Sequence, residues 1–229
     1  MAEPSENGPF LLPHDALEHL SPSEFRVARP PATVTCAVAT PFGACIPNVF
    51  DWSPGDALLF ANPSTPQTEA VFWVQRALGF AFEQAIWTHA AVLDATLRVW
   101  DAMPGKHVCV CSLAETLSER RQLVSVRRVK GKAVDPDALQ ESLELFSGNQ
   151  YRIFNISTAN LLLNRLGGRS PIYAERPDDT QVICSSFVQK VLVRSLQMPL
   201  VKDQFIPVPA DLFAHADFFG VPAYWCRAV

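Results

Sequence analysis

The sequence predicts an α+β fold in which helices pack beside a central antiparallel sheet. Short runs rich in β-branched and aromatic residues follow one another in the middle of the chain, and stretches with helical spacing lie before and after them. Of the 229 residues, 48% are hydrophobic and 18% are charged. That composition suits one sizeable core, which we expect to span residues 34–229, after a tail of residues 1–33 that is rich in Pro, Ser and Glu.

The sheet is predicted from one buried strand and a meander. A Pro-Gly turn in "DWSPGDALLF", Asp51 to Phe60, leads into the buried strand. Three further runs, "IWTHAAVLDA", "LRVWDAM" and "HVCVCSL", show alternation and β-branching. The run "QLVSVRRV" is a candidate fourth strand of the same antiparallel meander.

Helices are predicted on both sides of these strands. The first covers Thr68 to Ala85, with Thr68 as its N-cap, and its apolar side chains surround most of the helix. The second covers Asp135 to Gly148, because Asp-Pro begins it and Gly ends it. A third covers Ile156 to Leu166, a Pro/Asp-rich loop follows it, and "PVPADLFAHADFF" predicts a short helix near the end.

Charge and cysteine content exclude several classes of protein. The net charge is -4 and the pI is near 5.7, so no electrostatic footprint for nucleic acid or an anionic membrane is present. No run approaches the roughly 20 apolar residues of a membrane span. Six scattered cysteines are not a disulfide framework. We expect a soluble protein with reduced thiols, cytoplasmic by default or exported without an ordinary signal peptide.

Cys184 is the first candidate for chemistry. In "QVICSSFVQKVL" it separates a β-branched run from apolar residues at helical spacing, which places it at or near the first turn of a helix. A helix N-terminus favours a thiolate and stabilises an adjacent oxyanion. The alternative is that Cys184 is a small buried hydrophobic residue, a common role for free cysteine.

His89 and Asp101 are the best partners for such a thiol. They lie in neighbouring predicted strands, "WTHAAVLD" and "RVWDA", and a turn near Ala95 and Thr96 would place them at similar heights with a shared face. An Asp inside an apolar strand needs a partner, and a histidine is a good one. The alternative is that Asp101 ends a strand and His89 is a hydrogen-bonded core histidine.

The order of these motifs resembles the circularly permuted papain-like hydrolases. The matching pieces are "SPGDALLF", "THAAVLD", "VWDAM", "GNQYRIFN", "ICSSFVQKVL" and "VPADLF", from about Asp51 to Phe213. The resemblance is to permuted NlpC-type amidases of the YaeF/YiiX group and to lecithin:retinol acyltransferase-like proteins. It implies a permuted papain-like fold with the nucleophile at a helix N-terminus.

The resemblance also implies roles for individual residues. Cys184 would be the nucleophile, His89 the general base and Asp101 the residue that orients His89. Tyr151 matches a tyrosine that lines the site in these families, and Ser185 is the second candidate for oxyanion or substrate positioning. Tyr173 is a weaker candidate for the role of Tyr151.

Two departures leave the substrate open. Many permuted amidases have an acidic residue two positions after the cysteine, where this chain has Ser186, and the Asn-Cys-Glu-His of the acyltransferase branch is missing. The implied activity is hydrolysis of a peptide or peptidoglycan-type amide through a thioester, without a cofactor. A lipid acyl hydrolase or acyltransferase with the same site is one alternative, and an inactive binding domain is the other. An inhibitory or delivery protein is a further possible partner, and the apolar stretch 68–85 is either a substrate lid or core packing.

Two competing constellations are weaker. His215 follows Cys184 in a short amphipathic helix and lacks an acidic partner on a strand. His107, Cys109 and Cys111 share one face of a strand, but they span too far to hold one zinc ion easily. We therefore predict no metal site, and we expect these cysteines to fill the sheet core.

Overall fold

A computed structural model describes residues 36–39, 45–47, 52–61, 65–103, 105–113, 115–116, 123–151, 181–196, 207–215, 218–220 and 224–225. The predicted tail 1–33, the helix predicted over Ile156 to Leu166 and the loop after it lie outside these residues.

The described residues contain eleven strands and five helices. The strands are β1 (Cys36–Ala39), β2 (Cys45–Pro47), β3 (Ala57–Ala61), β4 (His89–Leu93), β5 (Val99–Ala102), β6 (Val108–Cys111), β7 (Leu123–Val129), β8 (Gln150–Tyr151), β9 (Gln181–Val182), β10 (Phe218–Gly220) and β11 (Tyr224–Trp225). The helices are α1 (Pro66–Ala77), α2 (Phe82–Ala85), α3 (Pro136–Phe146), α4 (Cys184–Leu196) and α5 (Pro209–Ala214).

Seven of these strands form one antiparallel sheet. Its order is β10-β7-β3-β4-β5-β6, with β11 also pairing with β7. Strands β1 and β2 form a separate antiparallel pair, and β8 and β9 form a parallel pair. The predicted α+β class is confirmed. The meander holds for β3 to β6, but the predicted fourth strand, β7, pairs with β3 and not with β6.

Strand β3 is fixed in the centre of the sheet by the turn that precedes it. Gly55 has a φ of +80°, which glycine adopts without strain, and its N–H donates to the Leu93 carbonyl oxygen at 2.9 Å. The buried carboxylate of Asp56 accepts bonds from Nε and Nη2 of Arg128 on β7, at 2.8 and 2.6 Å. This bidentate pair joins the beginning of β3 to its neighbour and explains why β7 lies beside β3.

The predicted helix from Thr68 to Ala85 is two helices. Helix α1 begins earlier, because Thr65 is the N-cap and Pro66 takes the first helical position, where its missing N–H costs nothing. Thr68 is instead the third helical residue, and its N–H donates to the Thr65 hydroxyl at 3.3 Å. The chain turns at Gly79, with a φ of +90°, before α2. The prediction of one continuous helix capped by Thr68 is therefore wrong.

The two faces of the sheet bury different side chains. One face packs against α3 and α4, and the apolar positions predicted for α4 are all buried there: Phe187, Val188, Val191, Leu192 and Leu196. The opposite face gathers Trp52, Leu58, Phe60, Ala91, Leu93, Val99, Val124 and Val126. Alternation along the central strands therefore buries both sides of the sheet.

A buried glutamine joins α1 to the segment that leads into β4. Gln75 donates through Nε2 to the carbonyl oxygens of Ala85 and Trp87, at 2.8 and 2.9 Å. Its Oε1 accepts from the N–H of Ala210 in α5 at 2.7 Å. One side chain thus fixes three backbone segments and sets the path of the chain just before His89.

Candidate functional site

His89 and Asp101 meet across the β4–β5 pair. Asp101 lies opposite Ala91 in the antiparallel register, two residues from His89 and on the same face of the sheet. The His89 Nε2 atom lies 2.6 Å from Asp101 Oδ1. The side chain of His89 is 13% exposed and that of Asp101 is 1% exposed. The structure therefore brings together the two residues that the strand pattern pairs.

A second buried aspartate fixes the register of these strands. Asp94 begins the β4–β5 turn, and its Oδ1 accepts from the N–H groups of Thr96 and Arg98 at 2.8 and 2.9 Å. Its Oδ2 accepts from the side chains of Arg98 and Trp100 at 2.9 and 3.0 Å. Burial raises the pKa of Asp94, but these hydrogen bonds outweigh it and lower the pKa below its ordinary value. Sequence reasoning missed this residue, although an Asp at a hairpin turn is a recognisable signal.

Cys184 completes the arrangement. It is the first residue of α4 and is 6% exposed, and its side chain lies close enough to His89 to raise the pKa of the imidazole. The ring of Phe60, on the neighbouring strand β3, lies 6.1 Å from the imidazole between centroids. The imidazole therefore contacts a thiol, a carboxylate and an aromatic ring.

Electrostatics favour the protonated form of His89. Burial alone would lower its pKa, because it disfavours the cation. The charge of Asp101, the charge of Cys184 and the hydrogen bonds to both outweigh burial and raise the pKa of His89 from 6.5 to about 9. At neutral pH the ring is therefore an imidazolium.

The first turn of α4 is held from both sides. Ile183 accepts the first intrahelical bond, from Phe187 N–H at 2.9 Å. The Ser186 hydroxyl accepts from the N–H of Ile183 at 3.0 Å. Ser185 is fully buried, and its hydroxyl donates to the Pro207 carbonyl oxygen at 2.7 Å. The hydroxyl of Ser185 therefore anchors the helix, so any contribution to substrate positioning comes from its backbone N–H.

The two tyrosines are placed to different extents. Tyr151 lies on β8 and pairs with Val182 of β9. Val182 is two residues before Cys184 in the chain. Tyr173 lies outside the described residues. The role expected for Tyr151 stays a prediction.

The competing histidine lies at the end of α5. His215 follows the last helical residue, and its ring meets Phe218 edge-on, with centroids 6.2 Å apart. It is His89 whose pKa Cys184 raises.

The competing cysteines do not fill the core. Cys109 and Cys111 are partly exposed on β6, the outermost strand on that side of the described sheet. The prediction that they pack in the core is wrong, because β6 is the edge strand on its side of the described sheet. Within the described ranges, no group of three or more His, Cys, Asp and Glu residues is arranged to hold a metal ion.

Comparisons with known proteins add a likeness of fold. No family model and no curated protein matches the sequence. The fold is similar to the crystal structure of the metalloprotein YiiX from Escherichia coli O157:H7, a DUF1105 protein. The TM-score is 0.54, the sequence identity is 15%, and the match covers 76% of this chain and 98% of that chain. Each helix in the described part of the chain is too short or too polar to cross a bilayer.

Proposed function

We propose that this protein is a cysteine hydrolase that cleaves an amide bond through a thioester intermediate. Cys184 is the nucleophile, His89 is the general base and Asp101 orients His89. One observation carries the proposal: the imidazole bonds to the Asp101 carboxylate at 2.6 Å and lies close enough to the Cys184 side chain for Cys184 to raise the pKa of His89. Acyl transfer by a side chain requires a nucleophile, a base beside it and a third group that orients the base.

The reaction begins with a proton transfer. Because Nε2 bonds to Asp101, the proton of the Cys184 thiol passes to Nδ1, and the raised pKa of His89 keeps it there as an imidazolium before the substrate binds. The thiolate then attacks the carbonyl carbon, and the imidazolium returns its proton to the departing amine. The remaining thioester is hydrolysed by water, whose proton His89 accepts, and Cys184 leaves as a thiol after reprotonation.

The beginning of α4 supplies stabilisation for the oxyanion. The first N–H groups of a helix have no carbonyl partner within it, and Ile183, at the N-cap, has no side-chain acceptor. Ser185 and Ser186 therefore offer backbone N–H groups next to the sulfur. Such donors stabilise negative charge that develops on the carbonyl oxygen.

The proposal includes a permuted papain-like architecture. His89 and Asp101 precede Cys184, whereas ordinary papain-like enzymes have the nucleophile first. The motif order resembles the permuted YaeF/YiiX group, and the likeness of fold to YiiX, 98% of which is matched, supports this assignment.

A metal does not fit the described residues, although YiiX is called a metalloprotein. Nε2 of His89 is already bonded to Asp101. Within the described ranges, no three His, Cys, Asp or Glu residues are grouped so that they could hold a metal ion. The mechanism accordingly contains no metal-dependent step.

Acylation of Cys184 tests the proposal. The intact protein is incubated with p-nitrophenyl acetate, an activated ester, and separately with an acetylated dipeptide p-nitroanilide, and the products are measured by absorbance and by peptide mass mapping. We expect an acetyl or acyl group on Cys184 and its disappearance on longer incubation. Cys184→Ser is the matched control and should carry no acyl group.

The two substrates separate the possible outcomes. Turnover of the anilide supports an amidase. Acylation by the ester with no anilide turnover redirects the assignment to ester chemistry on lipid acyl groups. Failure of both to acylate Cys184 in the folded protein contradicts the hydrolase and leaves a binding domain.

A further inference from the structure

Cys109 and Cys111 form a thiol pair beside the candidate site. They lie two residues apart on β6, so their side chains share one face of the strand. Both side chains are partly exposed, and Cys111 contributes to the raised pKa of Cys109. Cys109 lies directly opposite Asp101 in the β5–β6 register. The thiol pair is therefore one strand away from the carboxylate that bonds to His89.

The spacing of the pair permits a strained disulfide. Residues i and i+2 of a strand have Cα atoms roughly 6.6 Å apart, at the upper end of the distances seen in disulfides. A bond between the two sulfurs would therefore require β6 to bend locally. Strained and exposed disulfides are easily reduced, which is typical of regulatory ones.

We propose that Cys109 and Cys111 are a modification site, oxidised by a small-molecule disulfide to an intrastrand disulfide that displaces Asp101 from His89. The oxidation itself does not depend on the function of Cys184. Its regulatory consequence rests on the proposed function, because displacement of Asp101 would weaken the base that activates Cys184.

The chemistry is two thiol–disulfide exchanges. Burial, Cys111 and Asp101 raise the pKa of Cys109, so Cys111 is the first nucleophile. Its thiolate attacks one sulfur of the small disulfide, forms a mixed disulfide and releases one small thiolate. The Cys109 thiolate then attacks the Cys111 sulfur and releases the second. Two protein thiols are oxidised, the small disulfide is reduced to two thiols, and the two protons pass to those products.

The effect on the site follows from pairing across the sheet. Asp101 and Cys109 are paired in the β5–β6 ladder, so a bend at Cys109 shifts the backbone that carries the carboxylate. The bond from His89 to Asp101 is 2.6 Å long, and a displacement of about 1 Å removes most of its strength. Oxidation is therefore expected to lower the pKa of His89.

Glutathione provides the probe for the first half of the test. The full chain is equilibrated with graded ratios of reduced and oxidised glutathione, quenched with acid, alkylated and digested with trypsin. Cleavage after Lys106 and Arg120 yields a peptide that contains Cys109 and Cys111 and no other cysteine. We expect this peptide to lose two hydrogen atoms without gaining glutathione. Stable glutathione adducts alone, or unreacted thiols, would overturn the proposal.

Titration of His89 by NMR provides the second half. It is carried out in Cys184→Ser, which prevents oxidation of the nucleophile, with Cys184→Ser/Cys109→Ser/Cys111→Ser as the matched control. Oxidation should lower the pKa of His89 by about one unit in the former and leave the control unchanged. An intrastrand disulfide with an unchanged His89 titration contradicts the coupling. A shifted titration in a protein whose Cys184 never acylates rejects the proposed function alone.

Discussion

Among single residues, His89 shows most directly how the site is built. Burial opposes its positive charge, while Asp101 and Cys184 favour it, and the balance raises the pKa to about 9. Asp101 is itself nearly inaccessible, so its charge is screened little by solvent. The buried carboxylate therefore stabilises the positive charge of His89 by its own negative charge as well as by accepting a hydrogen bond.

Replacing Asp101 by Asn should separate these two contributions. The amide oxygen of Asp101→Asn still accepts a hydrogen bond, but the negative charge is lost. We expect the pKa of His89 to fall by about 1 to 3 units, measured by NMR titration of the imidazole. Asp137→Asn, an exposed substitution in the first turn of α3, should leave it unchanged. An unaltered His89 titration in Asp101→Asn would show that the charge contributes nothing.

Much of this pair could be predicted from the strands that carry it. The alternation in "WTHAAVLD" and "RVWDA" indicates which residues share a face, and an Asp within an apolar strand indicates a polar partner. The register was not predictable, because Asp94 sets it through hydrogen bonds to Thr96, Arg98 and Trp100. Such a network depends on side-chain positions that hydrophobic periodicity does not contain.

At the scale of elements, α4 carries the nucleophile and needs anchoring at the end where Cys184 lies. Its apolar positions bury themselves on the sheet as the helical spacing predicts. The anchor is the Ser185 hydroxyl bonded to Pro207, 22 residues later. A contact between segments so far apart in sequence cannot be predicted from local pattern, and the resemblance implies only a positioning role for Ser185.

Ser185→Ala tests the anchoring role. The substitution leaves the Pro207 carbonyl without its buried donor and keeps the backbone N–H of residue 185. We expect the free energy of unfolding to fall by about 1 to 2 kcal/mol in urea titrations, with the alkylation rate of Cys184 changed by less than about twofold. Ser195→Ala is the control, because that hydroxyl bonds within its own helix. A large fall in the alkylation rate of Cys184 with an unchanged free energy of unfolding would instead show that the Ser185 side chain contributes to the site.

The helix between β3 and β4 shows a different limit of sequence reasoning. Hydrophobicity around the stretch 68–85 predicts helix, and most of that stretch is helical. Its true beginning depends on the Thr65–Pro66 cap and its interruption on Gly79. Both signals are present in the local sequence, but apolar residues around most of the stretch favour the prediction of one continuous helix.

For the whole molecule, the raised pKa of His89 predicts a dependence of stability on pH. A group whose pKa is higher in the folded state stabilises the fold fully below its unfolded pKa, near 6.5, and that contribution is lost as the pH rises through about 9. A difference of this size corresponds to about 3 kcal/mol at most.

The comparison of wild type with His89→Gln isolates this contribution. The difference in their free energies of unfolding should shrink by about 2 to 3 kcal/mol between pH values of about 6 and 10, measured by urea denaturation. His107→Gln, at an exposed histidine, is the matched control for the loss of an imidazole. A constant difference for His89→Gln would mean that His89 is not charged in the folded protein.

Activation of Cys184 by His89 is tested most directly by the rate of Cys184 alkylation by iodoacetamide as a function of pH, in the wild type and in His89→Ala. Peptide mapping assigns the label to Cys184. An ordinary thiol, with a pKa near 8.5, is less than about 1% thiolate at a pH of about 6. If His89 activates the thiol, we expect Cys184 to be alkylated at least roughly tenfold faster in the wild type than in His89→Ala at that pH. Slow labelling that does not depend on His89 would contradict it and make Cys184 a structural residue.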